Sequence, residues 1–88
     1  MIVMDRENLL AHGWSHVVST TDDVAELDAF RERVGAPRAA LQLANPRWPH
    51  LDLKGAPRDR ALASSGIIVV ERTRDLIRYV RSARAARR

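Results

Sequence analysis

The stretch Arg47-Trp48-Pro49-His50-Leu51-Asp52-Leu53, with the Pro57-Arg58-Asp59-Arg60 that follows, is the densest cluster of chemically capable side chains in the chain. His50 and Asp52 alternate at period two, so on an extended strand both point to one face. The other face then carries Leu51 and Leu53, which directs the histidine and aspartate away from the main core. Imidazole and carboxylate suit a divalent metal, and a bound metal supplies hydroxide near neutral pH. Arg58 and Arg60 would hold a phosphate group at the start of a short helix.

Two further residues can join this cluster. Met1-Ile2-Val3-Met4 reads as a short buried strand that ends at Asp5. Ligands gather at the carboxyl ends of parallel strands in open α/β sheets, so Asp5 stands where a functional carboxylate can act. A turn or capping carboxylate is the plainer reading. Trp14–Ser19 reads as a second strand with His16 and Val18 on one face, which aims His16 towards packing. A satisfied core histidine is the plainer reading there. The metal candidates are therefore Asp5, His16, His50 and Asp52, and the catalytic candidates are His16, His50, Asp52 and Arg60.

The remaining elements must position these groups. Thr20-Thr21-Asp22-Asp23 is a helix start, since its side chains accept from free N–H groups and its acids suit the positive helix end. Asp23 and Glu26 have capping-box spacing. Val24, Leu27, Phe30 and Val34 form an apolar stripe, and Gly35 with Pro37 stops the helix. Leu41 and Leu43 alternate with Gln42, as in a short strand. Pro49 lacks a ladder donor, which predicts an edge or irregular strand over 48–53. Pro57 suits the first turn of a short helix closed by Gly66. Ile67-Ile68-Val69-Val70 is β-branched throughout and reads as a central buried strand. Thr73 is placed to cap a last helix whose stripe is Leu76, Ile77, Val80 and Ala83. The expected fold is α/β: a single small domain over 1–83 with three helices and a short mixed or mostly parallel sheet of about four strands. Residues 84–88 would form a frayed basic tail.

The 88 residues suffice for one domain with a modest core, and a homodimer is a natural supplement. With no cysteine, disulfides, a thiol nucleophile and thiolate metal sites are excluded. No signal peptide or bilayer-spanning run is visible, so the expected location is cytoplasmic. The net charge of +4 is uneven: residues 71–88 hold seven arginines against Glu71 and Asp75. Arginine pairs with phosphate more readily than lysine, but arginine-rich codon usage is the simpler cause.

The chain resembles a bacterial and phage family of small proteins, domain of unknown function 4031. The resemblance rests on Ser15-His16, the Asp22-to-Leu27 helix entry, Gly35 with Pro37-Arg38, Gln42, Pro49-His50-Leu51-Asp52-Leu53, Arg60-Ala61 and Gly66 before a valine-rich strand. It covers most of 14–80. The family pattern has tyrosine where this chain has Leu51, and a basic pair where it has Asp59-Arg60. The resemblance implies a compact α/β domain and singles out His16, Gln42, His50, Asp52 and Arg60, without naming a reaction.

Three function classes remain. Small size and a thin core favour a non-catalytic interaction module, engaging a partner protein or a second copy. An alternative is nucleic-acid or phosphate binding through Gln42, Arg58, Arg60 and the last-helix residues Arg74, Arg78 and Arg81, with Trp14 and Trp48 to stack bases. The third is a metal-dependent phosphoester hydrolase built on the His/Asp cluster. Catalysis requires His16, His50 and Asp52 in one pocket, whereas a separation beyond about 10 Å excludes it, because proton transfer works at hydrogen-bond reach. Phosphate-loop, dinucleotide-fingerprint and nucleophile-elbow patterns are absent.

Overall fold

The computed structural model describes residues 1–6, 12–21 and 23–87. Asp22 and Arg88 lie outside the described residues. The elements are β1 (Ile2–Asp5), β2 (Ser15–Ser19), α1 (Val24–Arg33), a 3-10 turn (Arg38–Ala40), β3 (Leu41–Gln42), β4 (His50–Leu53), α2 (Gly55–Leu62), β5 (Ile68–Val70) and α3 (Thr73–Ala86). The strands form one mixed sheet in the order β3-β4-β2-β1-β5. Only β1 and β5 pair in parallel; β1–β2, β2–β4 and β3–β4 are antiparallel.

Period-two alternation divides the sheet into two apolar faces. Ile2, Met4, Val17, Leu51 and Leu53 pack with Leu27, Phe30 and Val34 of the α1 region and Ala61 of α2. Val3 and Val18 turn to the other face and pack under Leu76 and Val80 of α3. The result is the expected single small α/β domain, in three layers with helices on both sides of a mixed sheet of five strands.

Several local expectations change in context. Asp23 caps α1 by accepting from the Ala25 N–H, but Glu26 does not complete a capping box. Its carboxylate instead accepts from Ser19 Oγ and from the Met1 ammonium. Val24 drops out of the expected stripe and is exposed, while Arg31 is buried, donating to Asp28 and to the Ala36 carbonyl. Pro49 does not mark an edge: it precedes β4, which runs inside the sheet between β3 and β2. The β-branched β5 is an edge strand, not a central one. Its residues are half-buried, because side chains of both parities find apolar partners in the two clusters. Thr73 is not the cap of α3; Arg72 holds that position. α3 itself continues through Ala86, three residues past the apolar stripe that set the expected end at Ala83.

Candidate functional site

Register carries polar groups across the sheet. Gln42 pairs with His50, and His16 pairs with Asp52. Met4 pairs with Val17, so Asp5 comes next to His16. These residues lie on the sheet face that α3 covers further along, where α3 begins at Thr73.

Asp5 is fully buried at the carboxyl end of the parallel pair. A buried carboxylate is costly unless hydrogen-bonded, and Asp5 is richly supplied. Its Oδ1 accepts from the His16 backbone N–H at 2.7 Å. Its Oδ2 accepts from the Thr73 hydroxyl at 2.7 Å and lies 2.9 Å from His16 Nδ1. A carboxylate accepts, so His16 Nδ1 carries a proton and the other ring nitrogen, Nε2, points towards Asp52. The hydrogen bond to Asp5 raises the His16 pKa above its ordinary 6.5; desolvation opposes the shift, and the charges of Asp5 and Asp52 add to it. His16 is thus held towards the imidazolium.

His50 is oriented by a different partner. Its Nδ1 lies 2.8 Å from the Trp48 carbonyl, so Nδ1 donates and Nε2 faces away. Both Nε2 atoms turn to one oxygen: Asp52 Oδ1 is 3.8 Å from His16 Nε2 and 3.4 Å from His50 Nε2. The two rings meet edge to face, with centroids 5.6 Å apart. All three side chains are partly open to solvent. Two imidazoles with fixed Nδ1 protons and a carboxylate between their Nε2 atoms can give and take protons in one place.

The metal expectation finds less here. Both oxygens of Asp5 are occupied by protein donors. Among the described residues, no group of three or more His, Cys, Asp or Glu side chains is arranged to hold a metal ion.

Of the residues expected to bind phosphate, Arg58 and Arg60 have protein partners. Arg58 donates to Ser15 Oγ and to the Arg6 carbonyl, fastening α2 to the entry of β2. Arg60 Nε donates to the Val34 carbonyl at 2.7 Å, and its guanidinium underlies Gly35. Arg60 therefore closes the end of α1. Gln42 donates to the Ala39 carbonyl and lines a cavity. That cavity is about 570 Å³ and is lined by Trp14, Gln42, Asp52, Lys54 and Pro57 among others. Asp52 belongs to both the cavity wall and the histidine cluster.

On α3, Arg74, Arg78 and Arg81 are exposed. Arg84 and Arg87 turn inward: Arg84 donates to the carbonyls of Arg47 and Ser19, and Arg87 to that of Thr20. Arg81 and Arg84 stand over the Trp48 ring. With Arg47 and Arg87 they line a second cleft of about 780 Å³ that contains no acidic side chain among the described residues.

Sequence reasoning missed Thr73 as a site residue and Lys54 beside Trp14. Thr73 opens the helix that follows a strand parallel to β1, which is a position signal at the carboxyl end of the sheet. Lys54 had no local signal; its ammonium lies 4.9 Å from the Trp14 ring centroid only once the chain is folded.

Among the described residues no helix is long and apolar enough to cross a membrane. No curated protein and no solved structure matches the chain. The family model described as "Protein of unknown function (DUF4031)" matches residues 2–83, nearly the whole chain, and the protein belongs to that family.

Proposed function

We propose that the protein is a general acid–base catalyst acting on a phosphoester, with His16, His50 and Asp52 at its centre. The observation that carries this reading is the convergence of the two Nε2 atoms on Asp52 Oδ1, each imidazole being fixed from behind at Nδ1. Acid–base catalysis needs a proton donor and a proton acceptor close together. His16, raised by Asp5, is the acid. His50, with Nδ1 committed to a carbonyl, offers its Nε2 lone pair as the base. Water attacks phosphorus as His50 Nε2 takes its proton. The bond to the leaving oxygen breaks as His16 Nε2 supplies that oxygen with a proton. The products are the alcohol and the phosphate, and one proton passes from His50 back to His16 through solvent. Asp52, its Oδ1 3.4 Å from His50 Nε2, stabilises by its charge the imidazolium that forms on His50. Asp5 and Thr73 are positioning residues.

An interaction module has less on its side. Among the described residues the exposed large apolar side chains are Met1, Val24, Leu43 and Tyr79, and an interaction module would need a contiguous apolar patch. Cytoplasmic location and a bacterial or phage origin belong to this proposal and rest on the family resemblance and composition.

The test is alcohol release from a set of phosphomonoesters and phosphodiesters by the wild type, His16→Ala and His50→Ala. Turnover by the wild type that falls about 10²-fold or more in each variant supports the reading, this being the usual worth of a general acid or base. Equal turnover by all three proteins removes it.

A further inference from the structure

The 570 Å³ cavity beside Asp52 has the size of a small-molecule site and is separate from the arginine-lined cleft. Its walls combine one aromatic ring, Trp14, with the small apolar side chains Ala36, Ala39, Ala40 and Pro37. Few polar groups interrupt them. The Gln42 amide uses one N–H on the Ala39 carbonyl, leaving its carbonyl oxygen and second N–H for a ligand edge. Lys54 lies over Trp14, and Asp52 forms the wall shared with the histidines.

We infer that this cavity is the base-binding subsite of the enzyme and that its substrate is a nucleotide phosphoester. The inference rests on the acid–base reading of the adjoining histidines. A flat ring with a π-face fits against Trp14, and stacking of this kind tolerates any base. The Gln42 amide offers both a donor and an acceptor, the pair needed at a heterocycle edge. A base seated there carries its sugar past Asp52, so the phosphoester reaches His16 and His50. The Lys54 ammonium lies over one face of Trp14, 4.9 Å from the ring centroid, so the base takes the other face. A purely aliphatic substrate would leave the Trp14 face and the Gln42 amide unused.

The test uses the indole N–H signals of the two tryptophans in the full-length protein, assigned with Trp48→Phe. Adenosine, AMP, UMP, ribose 5-phosphate and inorganic phosphate are titrated separately. The expected result is that adenosine and both nucleotides shift the Trp14 signal while ribose 5-phosphate and phosphate do not. AMP should bind about tenfold or more tightly than ribose 5-phosphate, the contribution of one stacked base. Gln42→Ala, a change at a half-buried position of the edge strand β3, should weaken AMP several-fold and leave ribose 5-phosphate unchanged, with the melting temperature confirming that the fold is kept. Equal affinity for AMP and ribose 5-phosphate overturns the subsite, as does a shift confined to Trp48. Because binding is read without turnover, a Trp14 response with no hydrolysis keeps the subsite and removes the catalytic reading. Hydrolysis of base-free esters with no Trp14 response does the reverse.

Discussion

Asp5 grips His16 at two points. One carboxylate oxygen accepts from the His16 backbone N–H at 2.7 Å and the other faces its Nδ1 at 2.9 Å. The backbone bond fixes where the residue sits, and the side-chain bond fixes which nitrogen carries the proton. Catalytic imidazoles need such an orienting partner, since a ring free to rotate presents either nitrogen. Thr73 adds a donor from a third element and so ties β1, β2 and α3 together at this atom.

A proton titration follows directly. NMR should place the His16 transition above 6.5, because the hydrogen bond to Asp5 is the largest influence and raises it. A raised folded value means that the stabilisation is fully present below the unfolded value of 6.5 and is lost as pH rises through the folded value. Asp5→Asn removes the largest raising cause and the Asp5 charge, leaving desolvation, which lowers the value, opposed only by the smaller effect of the Asp52 charge. The His16 transition in that variant should fall, and its melting temperature should lose the drop that the wild type shows on raising the pH through the His16 transition. An unchanged transition would contradict the assignment of Asp5 as its partner.

Arg60 should behave as a structural residue. Arg60→Ala removes a charge-assisted hydrogen bond to the Val34 carbonyl, worth about 1.5–3 kcal/mol when shielded and less at this exposed position. Thermal unfolding should show the loss, while turnover at the unfolding-free temperature stays unchanged. Gly35→Ala should cost about 1–2 kcal/mol, since Gly35 has φ +73° and only glycine adopts that region without penalty. A large fall in turnover with no change in stability for Arg60→Ala would place it in the chemistry after all.

The arginines of α3 should separate into two kinds. Arg84 is half-buried against Trp48 and donates to backbone carbonyls of β2 and the loop before β4. Arg84→Ala should lower the melting temperature by about 4–8 °C or more, each kcal/mol being worth that much in a domain of this size. Arg78→Ala, on the exposed face, should change it by less than a degree or two, in line with ordinary surface substitutions. Equal effects would mean that residues 84–87 are a frayed tail, as composition alone suggests.

The sequence made some of this architecture readable because the signals were local. The alternation of His50 and Asp52 against Leu51 and Leu53 is a period-two pattern, and the structure gives those leucines full burial. Asp5 at the end of a short apolar run was legible for the same reason. His16 was harder. Its parity with Val18 pointed it at the core, and it does share the face of Val18, but it lies at the end of the sheet where α3 only begins, beside Thr73, and is half-buried. Where a helix begins relative to a strand far away in sequence is not written in either segment. The same applies to Arg60, whose partner Val34 lies on another helix end, and to β5, whose composition fits either a central strand or an edge flanked by two clusters. Thr73 carried a correct local signal for a helix start; the buried Asp5 carboxylate claimed its hydroxyl instead.

The most direct test compares two leaving groups at one site. Initial rates on p-nitrophenyl phosphate, whose phenolate leaves without help, and on glycerol 3-phosphate, whose alkoxide needs a proton, are measured for the wild type, His16→Ala and His50→Ala. With His16 as acid and His50 as base, His50→Ala slows both substrates about 10²-fold or more. His16→Ala slows the alkyl ester to a similar degree and the aryl ester far less. Indistinguishable rates across the three proteins, or a loss in His16→Ala that ignores the leaving group, would contradict the account.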